Sequence, residues 1–121
     1  MSLIARHLEE NGLPTVIMGC GRDIVEHVGV ARFLYSEFPL GNSAGKPDDA
    51  DSQRETLHLA LALFDAATEP RTTFQSPQRW ADNDNWQYDF LNIDALTADK
   101  VAALKADFAR QKQIANRLKR A

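Results

Sequence analysis

Hydrophobic and polar positions along the chain follow two different periods, and the period changes at recognisable stop signals. Over Ser2–Glu10, Leu3, Ile4 and Leu8 share one helical face, and Gly12 follows as a terminator. Pro14 to Met18 is a short, β-branched, apolar run, the pattern of a buried strand. Gly19-Cys20-Gly21-Arg22 is a tight turn. Asp23 to Val28 predicts a second helix, with Asp23 and Glu26 spaced as a capping box and Gly29 as its stop. Val30 to Tyr35 predicts a second strand.

Phe38 to Pro47 carries two Gly, two Pro and an Asn, and reads as a loop. Ser52 and Glu55 form a second capping-box pair, opening a helix with Leu57, Ala60, Leu61 and Phe64 on its apolar face. Glu69-Pro70 ends that helix. Thr72 to Gln75 is a candidate third strand; without it the sheet needs strands from another chain, because two-stranded sheets are marginal alone. Residues 76–95 form an aromatic loop that includes Trp80, Trp86, Tyr88 and Phe90. Its aromatics are expected to supply core, with a lid or partner contact as the other reading. Thr97 caps a last helix over 96–121, with Leu96 and Val101 as a staple. Its apolar stripe is Val101, Leu104, Phe108, Ala115 and Leu118.

The expected fold is therefore α/β: a short parallel sheet with flanking helices, a Rossmann-like half, plus a long C-terminal helix. At 121 residues, 1–121 is expected to be a single domain, with residues 1–75 as its core. A formal charge of -3 gives no case for nucleic acid. Lys100, Lys105, Arg110, Lys112, Arg117, Lys119 and Arg120 crowd the last helix, against Asp99 and Asp107. Cations near a helix C-terminus suit its dipole, which is the favoured reading over an acidic partner, RNA or a membrane surface. The start has no signal-peptide pattern and the longest apolar run is far too short to span a bilayer, so a cytoplasmic protein is expected.

Cys20 is the only cysteine, which excludes an intrachain disulfide and a cysteine-based metal site. It lies between a predicted strand and a predicted helix, where open α/β sheets place their sites. A helix start and Arg22 would lower a thiol pKa, making Cys20 a candidate nucleophile; the alternative is a small residue filling a turn. A lone thiol cannot run a dithiol cycle. The turn's N–H groups and Arg22 suit an anion. Asp23, Glu26 and His27 could move protons, although capping explains the carboxylates without catalysis. Asn42 and Lys46, in the loop after the second strand, could complete a pocket for a small anionic substrate. The binding candidates are thus Arg22, Asp23, His27, Asn42 and Lys46. No histidine spacing suits a metal, and neither a metal nor a cofactor is expected.

Three segments carry a resemblance. Leu8-Glu9-x-x-Gly12-Leu-Pro-Thr-Val16, then Gly29, Val30 and Arg32, then Phe38-Pro-Leu-Gly-Asn42 are similar, in order and spacing, to elements of the selenoprotein B component of glycine/sarcosine/betaine reductases. Arg22-Asp-Ile-Val-Glu-His27, Gly45-Lys-Pro47 and Arg71 to Trp80 resemble short relatives of that family. The resemblance implies an oxidoreductase subunit, or a stand-alone relative, that supplies the substrate- or partner-facing half. It further implies a second chain bearing the family's redox cysteines, which lie upstream of the Leu8 to Val16 element. Two other readings stay open: a self-sufficient thiol enzyme using Cys20, and a non-catalytic binding module or homodimer joined through the last helix.

Overall fold

The computed structural model describes residues 1–89 and 96–118. Phe90 of the aromatic loop, Lys119 and Arg120 of the basic helix, and the side chain of Leu118 lie outside the described residues. The chain divides into two compact units, Met1–Asp82 and Asn83–Ala121.

The first unit is a three-stranded parallel sheet with helices. Its elements are α1 (Ser2–Glu10), β1 (Ile17–Gly19), α2 (Arg22–Val28), β2 (Arg32–Tyr35), α3 (Ala50–Ala66) and β3 (Thr72–Gln75). The strand order is β1-β2-β3. Ile17 pairs with Phe33, and Phe33 with Thr73, so the three strands keep one register. The ladder runs one row further, through Ser36 N–H to the Gly19 carbonyl at 2.9 Å and Ser76 N–H to the Tyr35 carbonyl at 2.7 Å.

Side chains alternate across β2 and split the core in two. Phe33 faces Ala5 of α1 and Val30, with Ile17, Val25 and Tyr35 packed around them. Leu34 faces Ala60 and Leu63 of α3, with Val16, Met18 and Leu59. Helices α2 and α3 therefore lie on opposite faces, while both crossovers step in the same direction along the sheet. Two such connections necessarily have opposite hands, so one of them departs from the right-handed rule for parallel crossovers.

Several local expectations are corrected. The strands are shorter than predicted: β1 begins at Ile17 and β2 at Arg32, although the Ala31 carbonyl still accepts from the Thr72 N–H at 3.1 Å. Helix α2 has Gly21 at its N-cap and no side-chain cap; Glu26 is turned to Arg22 (3.0 Å) instead of reaching back. Helix α3 is capped by Asp49, whose carboxylate accepts from the Ser52 N–H at 2.9 Å. Ser52 is thereby freed for the interior. The buried face of α3 is Ser52, Thr56, Ala60 and Leu63, and Leu57, Leu61 and Phe64 are exposed. On α1 the buried residue is Ala5, with Leu3 and Ile4 outside. Small residues make up most of the buried face in both helices, with Leu63 the large side chain on that of α3.

The reason α3 turns its small face inward is a hydrogen-bonded knot. Gln78, just after β3, accepts from the Ser52 hydroxyl and donates to the Thr56 hydroxyl at 2.9 Å. Thr56 in turn donates to the Ser52 carbonyl at 2.8 Å. Gln78 N–H donates to the Ser76 hydroxyl at 3.3 Å. Trp80 then packs on Phe38 with ring centroids 5.5 Å apart, so this aromatic does supply core.

The second unit holds α4 (Trp86–Asp89) and α5 (Ala98–Leu118). Thr97 caps α5 as expected, its hydroxyl accepting from the Lys100 N–H at 3.4 Å. Tyr88 is largely exposed and does not serve as core.

Candidate functional site at the carboxyl edge of the sheet

Parallel strands end together, and their carboxyl edge is where the loops that follow can converge. Here β1 delivers Cys20, β2 delivers Tyr35 and the loop 38–47, and α2 begins beside them. The result is a broad, open depression of about 600 Å³, lined by Cys20, Gly21, Arg22, Asp23, Ile24, Glu26, Tyr35 and Leu40.

Cys20 is half-buried at its rim. Burial pushes its thiol above the ordinary value of 9.0, and backbone N–H groups of Phe38 and Asn42 pull it only partly back. The expected lowering by Arg22 does not occur. Arg22 is directed elsewhere: its Nε bonds Glu26 at 3.0 Å, and its guanidinium lies 5.8 Å from the Tyr35 ring centroid. Helix α2 is also only seven residues long. Cys20 is thus a neutral thiol at physiological pH, not an activated thiolate.

Tyr35 is a site residue that the sequence pattern did not reveal. Burial raises its phenol pKa above 10.0, Glu37 and Cys20 raise it further, and Arg22 opposes them. The signal for it was an aromatic with a polar tip on the last residue of a strand, in register with Gly19.

The predicted binding residues do not form one cluster. Cys20, Arg22 and Asp23 line the large depression. Asn42 lines a neighbouring cavity of about 330 Å³ with Met18, Gly41, Ala44, Gly45, Pro47, Gln53 and Leu57. It touches the first site through the backbone N–H that approaches Cys20, while its side-chain amide donates to the Pro39 carbonyl at 3.0 Å and closes its own turn. His27 and Lys46 line neither. His27 is exposed on α2. The Lys46 backbone ties the loop down: its N–H donates to the Ser52 hydroxyl at 3.0 Å and its carbonyl accepts from Gln53 at 3.0 Å. Gly45 makes that docking feasible, because a Cβ there would meet the Gln53 Cα at 2.7 Å.

Among the described residues no group of three or more His, Cys, Asp or Glu is placed to hold a metal ion. No described helix is long and apolar enough to cross a membrane. Compared with protein-family models, curated proteins and solved structures, the chain matches none.

Chemically, the arrangement can bind. The depression offers apolar walls from Ile24, Leu40 and the Tyr35 ring, a phenol, an ion pair and a thiol. It has no activated nucleophile and no second thiol.

Proposed function

We propose that the chain is the substrate- or partner-facing half of a selenoprotein B type reductase, and that a second, redox-active chain completes it. The observation that carries this reading is the state of Cys20. A single thiol kept protonated by burial is poorly suited to act alone as a nucleophile, and one thiol has no partner for a two-electron cycle. Its position, among the loops at the carboxyl edge of a parallel sheet, suits contact with a bound substrate or an incoming chain. The likeness of Leu8–Val16 and Phe38–Asn42 to elements of that family supplies the reaction class. Both segments build the site's surroundings: the first leads into β1 and the second wraps Cys20.

The test is native mass spectrometry on the tagged chain recovered from its own host. A stoichiometric second chain with a cysteine or selenocysteine cluster is expected. Recovery of the chain alone, or only as a homodimer, overturns the reading. A Cys20→Ser variant that abolishes an activity of the isolated chain would establish the thiol-enzyme alternative instead.

A further inference from the structure

The segment that covers Cys20 is closed on itself and lightly attached to what lies beneath it. The Asn42 N–H donates to the Pro39 carbonyl at 3.2 Å, and the Asn42 side-chain amide donates to the same oxygen at 3.0 Å. The Phe38 N–H has its own partner in the Ser36 carbonyl at 2.8 Å. These are the two N–H groups that approach the Cys20 sulfur, so neither is orphaned when it leaves the thiol. Among the described residues, no other hydrogen bond joins residues 39–44 to another element. The ends of the segment are fixed. Phe38 is buried and packs on Trp80, while Gly45 and Lys46 are docked on Ser52 and Gln53. The middle is loose, and a Cβ on Gly41 would meet nothing within 4 Å. Both hollows of the site share this segment as a wall: Leu40 lines the one that holds Cys20, and Gly41, Asn42 and Ala44 line the other with Met18 and Leu57. Every residue lining either hollow belongs to the first unit.

We propose that residues 39–42 form a strap with two positions: one on the Cys20 sulfur, as described, and one swung into the cavity of about 330 Å³, toward Met18 and Leu57, which uncovers the thiol. The turn moves as a unit, because its hydrogen bonds are internal. Ser43 and Ala44, between the turn and the Gly45 anchor, take up the change in backbone angles. The covering position is held by two N–H contacts to a sulfur, which is a weak acceptor. The swung position exchanges them for van der Waals contact with the cavity walls. Neither set is large, so a small change on either side of the strap tips the balance. In this arrangement the accessibility of Cys20 is set by the strap and not by the opening of the sheet. The proposal concerns that accessibility alone and does not rest on the reductase reading.

Cys20 is the only cysteine, so its alkylation by iodoacetamide in the purified full chain reads the strap directly. Labelling should be slower than that of free cysteine at the same pH. It should also be flat with urea below the unfolding transition, because the motion exposes little surface. Gly41→Ala strains the covering position, where φ is +99°, without a clash, and should speed labelling about tenfold. Leu57→Trp fills the cavity from a half-exposed position on α3 and should slow labelling about tenfold with the urea midpoint unchanged. Labelling at the rate of free cysteine overturns the proposal, since the strap then covers nothing. Labelling that rises steeply with low urea overturns it too, because the thiol is then reached by unfolding. A Leu57→Trp chain, folded by circular dichroism, that labels no more slowly than the parent, or a Gly41→Ala chain that labels no faster, overturns it equally.

Discussion

The two faces of the small sheet are held in different ways. On the face covered by α1 and α2, the buried residues are Ala5, Val30 and Phe33, all apolar. On the face covered by α3, Leu34, Ala60 and Leu63 share the interior with Ser36, Ser52, Thr56 and Ser76. Apolar burial is non-directional and tolerates small shifts of a helix on a sheet. Hydrogen bonds are directional, and an unpaired buried group is costly, so they fix the position of what they join. The α3 face anchors the loop 38–47 through Lys46 and the exit of β3 through Gln78. It therefore positions the segment that cradles Cys20, whereas the other face mainly supplies stability.

The largest effect should come from the apolar face. Phe33→Ala removes the largest fully buried side chain and should cost about 3–5 kcal/mol in denaturant unfolding, enough to threaten the fold. On the polar face, Gln78→Ala strips partners from Ser52 and Thr56 and should cost about 2 kcal/mol. It should also change the chemical shifts of Lys46 and Asn42, which Phe33→Leu would not. Gly29→Ala should cost about 1–2 kcal/mol, because φ is +77° and the new methyl would lie 2.5 Å from the Arg71 guanidinium. Adding Arg71→Ala should recover the clash but not the backbone strain.

Acid and base should act at opposite edges of the sheet. At the amino edge, burial raises the Glu9 carboxyl, but bonds from the Thr15 N–H and hydroxyl, with the charge and N–H of Arg32, together hold it below 4.5. Its contribution to stability is present above 4.5 and is lost as pH falls through its folded pKa. At the carboxyl edge, Cys20 and Tyr35 are both raised. Their contribution is present below 9.0 and is lost as pH rises through their folded values. Urea midpoints against pH should decline at both ends, and Cys20→Ser should soften only the alkaline decline. The smallest effect tests the comparison most sharply. Ser36 has a fully buried hydroxyl with no hydrogen-bond partner among the described residues, so Ser36→Ala should be neutral or stabilise by under about 1 kcal/mol.

The α/β rhythm was legible because Gly12, Gly29 and Pro70 bound segments whose period is clear, and Thr72–Gln75 is rich in β-branched residues. The rotation of α3 was not. Its sequence carries two stripes at helical spacing, and the larger, Leu57 with Leu61 and Phe64, is the natural choice for a core. What decides is Gln78, 26 residues after Ser52, and no local pattern reports that contact. Both capping-box assignments failed for a related reason. A Ser or Asp three residues before a Glu fits the box wherever the helix begins, and α3 begins three residues earlier than Ser52 implies. For the site, adjacency to a strand end located Cys20 and Arg22 correctly. Their electrostatics depend on the loop 38–42 and on Tyr35, whose approach is tertiary. The opposite hands of the two crossovers were likewise invisible, since either helix could cover either face.

The Gln78 knot also has a kinetic meaning. It joins residues 22 to 26 positions apart, and it can close only after β3 has taken its place beside β2. A contact that closes this late is expected to act on the unfolding rate, so Gln78→Ala should speed unfolding and leave folding almost unchanged in a chevron measurement. The loop around Cys20 should accordingly be released early whenever the first unit opens. In amide exchange, the Lys46 and Gln78 N–H groups should lose protection together and before Leu34.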